Sequence, residues 1–159
     1  MTPQERVAQA LLAAGLPAAI VEFDASTRTA EQAAAAVGCV LGQIVKTLFF
    51  LADGRPTLVL VAGDRQADTA ALAELLGTTR KKLKMGSPDE VLGVTGYAVG
   101  GVSPFGSLTA CDVVIDDSLK RFETAWAAAG AGHAVFEVRV AALAEKTGAQ
   151  WAAIARVQP

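Results

Sequence analysis

Apolar residues change their spacing several times along the chain, and each change marks an element. Over Gln43–Ile44–Val45–Lys46–Thr47–Leu48–Phe49–Phe50–Leu51 they are nearly continuous, with β-branched and aromatic side chains, which predicts a strand covered on both faces. Upstream, Thr2–Pro3–Gln4–Glu5 forms a capping box with proline at the first helical position. Val7, Leu11 and Leu12 then share one apolar face, and Gly15 and Pro17 stop the helix. Ala19–Phe23 reads as a short strand. Thr29–Ala30–Glu31–Gln32 opens a second capped helix that runs to Gly38, and its many alanines predict a close approach to another element.

Downstream of the apolar run, Asp53–Gly54 signals a hairpin turn and Thr57–Ala62 returns antiparallel. Asp68 caps a helix over Ala70–Leu76 that Gly77 closes, and Lys81–Met85 reads as a short edge strand. Ser87–Pro88–Asp89–Glu90 combines cap, proline and reaching glutamate in the clearest helix start of the chain. Tyr97–Gly106 (YAVGGVSPFG) is rich in glycine and shows no period. Thr109–Ile115 alternates into a strand, and Trp126–Ala129 and Ala134–Val138 flank Gly130–Ala131–Gly132 as another hairpin. A helix around Ala141–Lys146 stops at Gly148, and Trp151–Val157 forms a tail. Hairpins recur and no regular βαβ alternation is visible. The pattern predicts an α+β fold with a mainly antiparallel sheet or irregular barrel and helices packed outside. Neither a linker nor a repeat divides the chain, so residues 1–159 are expected to form a single domain.

Composition narrows the function. With 52% hydrophobic and 19% charged residues in a chain of 159, a substantial core is within reach and the composition argues against disorder. A formal net charge of −2 gives no global attraction to DNA, RNA or an anionic membrane, so any polyanion must be met by a local patch. Cys39 and Cys111 are far apart and match no metal-ligand spacing, as expected of small core residues in a reducing compartment. The N-terminus has neither a signal-peptide nor a transit-peptide pattern, and no apolar run is long enough to cross a bilayer. A cytoplasmic protein with no DNA or membrane partner is expected.

Few residues are equipped for chemistry. The single histidine, His133, and the absence of GxSxG argue against a catalytic triad. No clustered ligands suggest a metal, and no P-loop or dinucleotide fingerprint suggests a cofactor. Asp112, Asp116 and Asp117 sit at a strand end and read as a turn. Three features remain. Lys46 lies among apolar neighbours, where an ammonium must reach water, a carboxylate or an anionic ligand. Gly100, Gly101, Val102, Ser103 and Pro104 form a loop able to present backbone N–H groups to a carbonyl or oxyanion. Arg80, Lys81, Lys82 and Lys84 form either a solvated edge or a phosphate-contacting patch. His133 follows a hairpin glycine, as a turn residue or at the mouth of a site.

Taken in order, IVKTLFF with its DG hairpin, LVLVAGDR, SPDEVLGVTGYAVGGVSPFG and VVIDDSL resemble the YbaK/ProX family of aminoacyl-tRNA deacylases. That family is related to the editing domain inserted into bacterial prolyl-tRNA synthetases, and the resemblance spans Thr29 to Arg156. It implies a mixed sheet curled into a partial barrel with helices outside. It also implies trans-editing: hydrolysis of the ester joining a wrong, small amino acid to the tRNA 3′ end, with no cofactor. The partners implied are the acceptor end of an aminoacyl-tRNA and an aminoacyl-tRNA synthetase. The family's pocket lysine falls on Lys46 and its substrate-positioning loop on Gly100, Gly101, Ser103 and Pro104, while Lys81 and Lys82 become candidates for tRNA contact. Some cysteinyl-specific relatives carry a basic pair and an aspartate where this chain reads Gly132–His133–Ala134–Val135–Phe136, which argues against a cysteinyl specificity and leaves alanyl, seryl, threonyl or a non-protein amino acid open. A non-catalytic module that binds tRNA or a synthetase remains the alternative.

Overall fold

The computed structural model describes every residue except Ala25, Arg28 and Pro159. Helix α1 (Pro3–Ala13) starts where the capping pattern places it, with the Thr2 hydroxyl accepting from the Glu5 N–H at 3.1 Å. It buries Val7 and Leu11. Strand β1 (Ile20–Glu22) follows, and then α2 (Ala30–Val37). Both bonds of the α2 capping box are made: Thr29 Oγ1 accepts from Gln32 N, and Gln32 Oε1 accepts from Thr29 N. The apolar run forms β2 (Val45–Ala52), entered through a short 3-10 turn at Leu41–Gln43. Asp53 and Gly54, both at positive φ (51° and 79°), make the tight turn into β3 (Arg55–Ala62).

The remaining elements are β4 (Arg65–Ala67), α3 (Thr69–Leu75), β5 (Leu83–Met85), α4 (Pro88–Thr95) and β6 (Asp112–Asp116), then β7 (Thr124–Ala131), β8 (Ala134–Arg139), α5 (Val140–Thr147), β9 (Gln150–Ala152) and β10 (Ala155–Val157). They form a five-stranded sheet ordered β5-β2-β3-β6-β9, a three-stranded sheet β1-β8-β7 and a two-stranded pair β10-β4. The mixed α+β class is as expected, and most pairings are antiparallel. The pairs β3–β6 and β6–β9 are parallel. Their connections are long and carry helices, a loop and a hairpin, so no regular βαβ rhythm marks them in the sequence. Among the described residues no sheet closes on itself into a barrel. The tail, read as one segment, is two short strands separated at Ile154. There the main-chain N–H donates to buried Asp116 Oδ1 at 2.9 Å, so this carboxylate ties the chain end to β6.

Alternation along β2 and β3 divides the interior in two. Val45, Phe49, Leu58, Leu60 and Ala62 pack with α1, β6, β7 and β8 into the larger core. Phe50, Ala52, Val59 and Val61 turn the other way, onto Leu72 and Ala73 of α3 and Ile154. Each valine, leucine, isoleucine or phenylalanine among them contributes roughly 1.5–3 kcal/mol on burial, which fixes the register of the central hairpin. The alanine-rich α2 packs Ala33 and Ala34 on Ile44, close against the start of β2, as its composition predicts.

Candidate active site

Strand β2 has β3 on one side along its whole length, but on the other side β5 pairs only with Phe50–Ala52. Gly86 N–H extends that contact by one bond, to the Phe49 carbonyl at 3.1 Å. Ahead of this point the outer edge has no strand partner among the described residues until the isolated bridge between Ile44 and Trp126 of β7. Strand geometry that points the Phe49 carbonyl outward points the Thr47 N–H and C=O outward as well. Against this unpaired edge lies a cavity of about 330 Å³. Small residues of α2 (Ala30, Ala33) close one side, Trp126, Ala128 and Val135 of the β7–β8 hairpin another, and Val99, Gly100 and Val102 a third.

Lys46 lines this cavity, and its ammonium donates to the Arg65 carbonyl at 2.8 Å. Burial pushes its pKa below the usual lysine value, opposed by the carboxylates of Glu31 and Asp64. It therefore sits at the rim, neither solvated freely nor neutralised by a direct ion pair. Thr47 is the polar residue that sequence reasoning passed over. It lines the cavity, and its Oγ1 is buried with no hydrogen-bond partner among the described residues. A buried hydroxyl left in that condition costs about 1–3 kcal/mol, which a ligand that bonds to it recovers. The sequence signal was present: a threonine next to the lysine, one step over on the strand and so facing the opposite side.

The glycine-rich loop divides into a tip and an anchor. Gly100 (φ 91°) is exposed, with open space where a Cβ would project, and with Val102 it lines the cavity. Gly101 does not line it. A Cβ there would meet the Ala131 backbone at 2.7–2.8 Å, so this glycine lets the loop press against the hairpin. Gly101 gives its N–H to Ala98 O, and Pro104 has no N–H; Gly100 and Val102 are the residues of this segment that line the cavity and carry a main-chain N–H. Ser103 is fully buried and its hydroxyl accepts from Phe105 N at 3.2 Å, so it shapes the loop. Pro104 is buried beside it.

Behind the loop, Tyr97 is fully buried and its hydroxyl donates to Phe105 O at 2.7 Å. Arg6 of α1 donates to the Gly106 and Thr95 carbonyls at 2.9 and 3.2 Å and lies 4.5 Å from the Tyr97 ring centre. One arginine from the first helix thus ties down both ends of the loop.

His133 occupies the β7–β8 turn and is absent from the cavity wall, although Gly132 beside it contributes. Its carbonyl accepts from Phe23 N at 2.7 Å. Lys81 and Lys82 are exposed just before β5. The Lys82 carbonyl accepts from Asp53 N, at the hairpin end of β2. At about 3.3 Å per residue, that end lies roughly 20 Å along the strand from Lys46. The structure brings Lys46, Gly100 and Val102 to one cavity and leaves the lysine pair outside it.

The profile of a family described as "Aminoacyl-tRNA editing domain" matches residues 24–146. The chain is 39% identical to the Bacillus subtilis protein YwhH over 79% of each sequence. It is 38% identical to a proline–tRNA ligase of Nitratidesulfovibrio vulgaris over 58% of this chain, which is 16% of that much longer enzyme. Among solved structures, one described as a "putative trans-editing enzyme for prolyl tRNA synthetase" superposes with a TM-score of 0.93, at 38% identity and 98% coverage of both chains.

Proposed function

Because the chain belongs to the aminoacyl-tRNA editing domain family, that of YbaK, we propose that it is a deacylase that removes a small, mismatched amino acid from the 3′ end of tRNA, acting in trans behind a synthetase. The observation that supports this most is the cavity at the unpaired edge of β2: apolar walls and a handful of convergent polar groups. Its volume suits an aminoacyl group with part of the terminal ribose, and its alanine, valine and tryptophan walls favour a small uncharged side chain. Lys46 holds a phosphate of the terminal adenosine or orients the ester. Gly100 and Val102 N–H groups stabilise the carbonyl oxygen as it gains charge, and the Thr47 hydroxyl bonds the substrate.

No side-chain nucleophile is required, because an aminoacyl ester is already activated. A water, aided by the ribose 2′-hydroxyl, adds to the ester carbonyl carbon. The bond to the 3′-oxygen then breaks, that oxygen takes up a proton, and the amino acid leaves as its free acid. Selection against larger residues rests on pocket size, where one methylene is worth about 1–3 kcal/mol. The Ile44–Trp126 bridge, which joins the two larger sheets beside the cavity, supports a partial barrel around the site, with residues 1–159 acting as one unit. Incubating the protein with a panel of mischarged tRNAs tests the proposal. Release of a small amino acid is the expected result. Binding of tRNA without release from any member of the panel would favour the non-catalytic module.

A further inference from the structure

A group of charged residues next to Lys46 is left unused by that mechanism. The turn after β3 places Asp64 between two arginines. Arg121 grips it with both arms of its fork, at 2.9 and 2.7 Å, and Arg65 Nη1 reaches the same carboxylate at 2.9 Å. Lys46 adjoins them through its 2.8 Å bond to the Arg65 carbonyl. Two arginines therefore pair directly with one carboxylate beside Lys46, while Glu31 acts on Lys46 and Asp116 on Arg121 without a direct ion pair. The arginine side chains are 22% and 36% exposed, so both guanidinium groups are reachable from solvent. Arg121 is held further by its Nε–H bond to Ser118 O at 2.7 Å and by stacking on the Phe122 ring at 4.8 Å. A clamp between two turns needs one arginine on the carboxylate. A second, together with a lysine that lines the cavity, gives what a polyanion at the cavity mouth requires.

We propose that Arg65 and Arg121, preset by Asp64 beside Lys46, form a phosphate-binding site that takes the sugar–phosphate backbone of the tRNA acceptor end. The proposal rests on the deacylase reading and adds the route by which the ester is delivered. Asp64 orients both forks while each keeps N–H groups unspent.

The test uses the full chain, an intact tRNA, a minimal aminoacyl-adenosine and inorganic phosphate as competitor. Arg65→Gln with Arg121→Gln is expected to weaken tRNA binding by about tenfold or more and to reduce its salt slope by roughly 0.7–0.9 per lost contact. Hydrolysis of aminoacyl-adenosine is expected to stay unchanged. Asp64→Asn frees both forks and is expected to tighten tRNA binding several-fold at low salt, and Arg121→Lys to retain part of the affinity. Millimolar inorganic phosphate is expected to compete with tRNA in the parent more than in the double variant. Lower melting temperatures with parental tRNA affinity, or weaker binding in Asp64→Asn, would overturn the proposal and leave a fold clamp. A parent that cleaves neither substrate defeats the deacylase reading instead, and the binding measurements still decide the phosphate site.

Discussion

The two halves of β2 share a partner on one side and differ on the other. Phe50–Ala52 is flanked by β3 and β5, and Phe50 and Ala52 are almost fully buried. Between the Ile44 bridge and Phe49 the strand pairs, among the described residues, with β3 alone, and its outer edge faces a cavity. A bare edge is ordinarily a liability that proteins cover or charge. Here α2, the glycine loop and the β7–β8 hairpin cover it without pairing to it, which leaves main-chain and threonine polar groups in place for a ligand. One half of the strand is paired on both sides, and the other half leaves its outer edge open to the cavity.

The sharpest way to break that contrast is to remove the charge from the open half. Lys46→Met keeps the stem and should lower deacylation by at least about a hundredfold, with stability nearly parental. Single-turnover hydrolysis and thermal unfolding on one preparation measure both; parental turnover would end the role assigned to Lys46. Proton linkage adds a second signature. Burial lowers the Lys46 pKa in the folded protein, so its charged form costs stability below that pKa, and the cost disappears as pH rises toward the ordinary 10.5. The stability of the parent relative to Lys46→Met should therefore rise through that alkaline window while the parental rate falls.

Next in size is Gly101→Ala, which tests whether the loop stands apart from the cavity wall. Its Cβ would meet the Ala131 backbone, so stability should fall by about 1–3 kcal/mol, with turnover per folded molecule largely kept. A loss of turnover without a change in melting temperature would return this glycine to the substrate.

Much of this was legible in the residues. The N-cap at Thr2, the capping boxes at Thr29 and Ser87, and the Asp53–Gly54 turn located helices and a hairpin because local chemistry determines them. Alanines in α2 announced a close contact, although not that the contact would wall a cavity. The β2 run looks uniform in sequence, so nothing local marks where β5 stops pairing; that depends on where Leu83–Met85 docks. The glycine loop looked like one cradle, yet Gly101, Ser103 and Pro104 are turned toward the body of the protein. Only the packing of Tyr97, Val102 and Phe105 decides which residues face which way.

Thr47→Val asks whether the partnerless hydroxyl belongs to the ligand. In the empty protein the change removes a buried unsatisfied group at little cost in shape, so stability should hold or rise slightly. Turnover should fall about tenfold, the value of one substrate hydrogen bond. A variant that is less stable and equally active would show that the hydroxyl serves the fold.

The smallest effect is expected at the far end of the same strand. Lys81 and Lys82 are exposed, roughly 20 Å along β2 from Lys46, too far to touch an ester held in the cavity. Their reach extends only to the body of a bound tRNA, where one exposed phosphate contact contributes little and is screened by salt. Lys81→Glu with Lys82→Glu should weaken tRNA binding a few-fold at low ionic strength, with the difference shrinking as salt is added. Hydrolysis of aminoacyl-adenosine should be untouched, because that substrate has no stem to reach them. Equal loss on both substrates would mean that the paired half of β2 communicates with the open half, and the division drawn between them would fail.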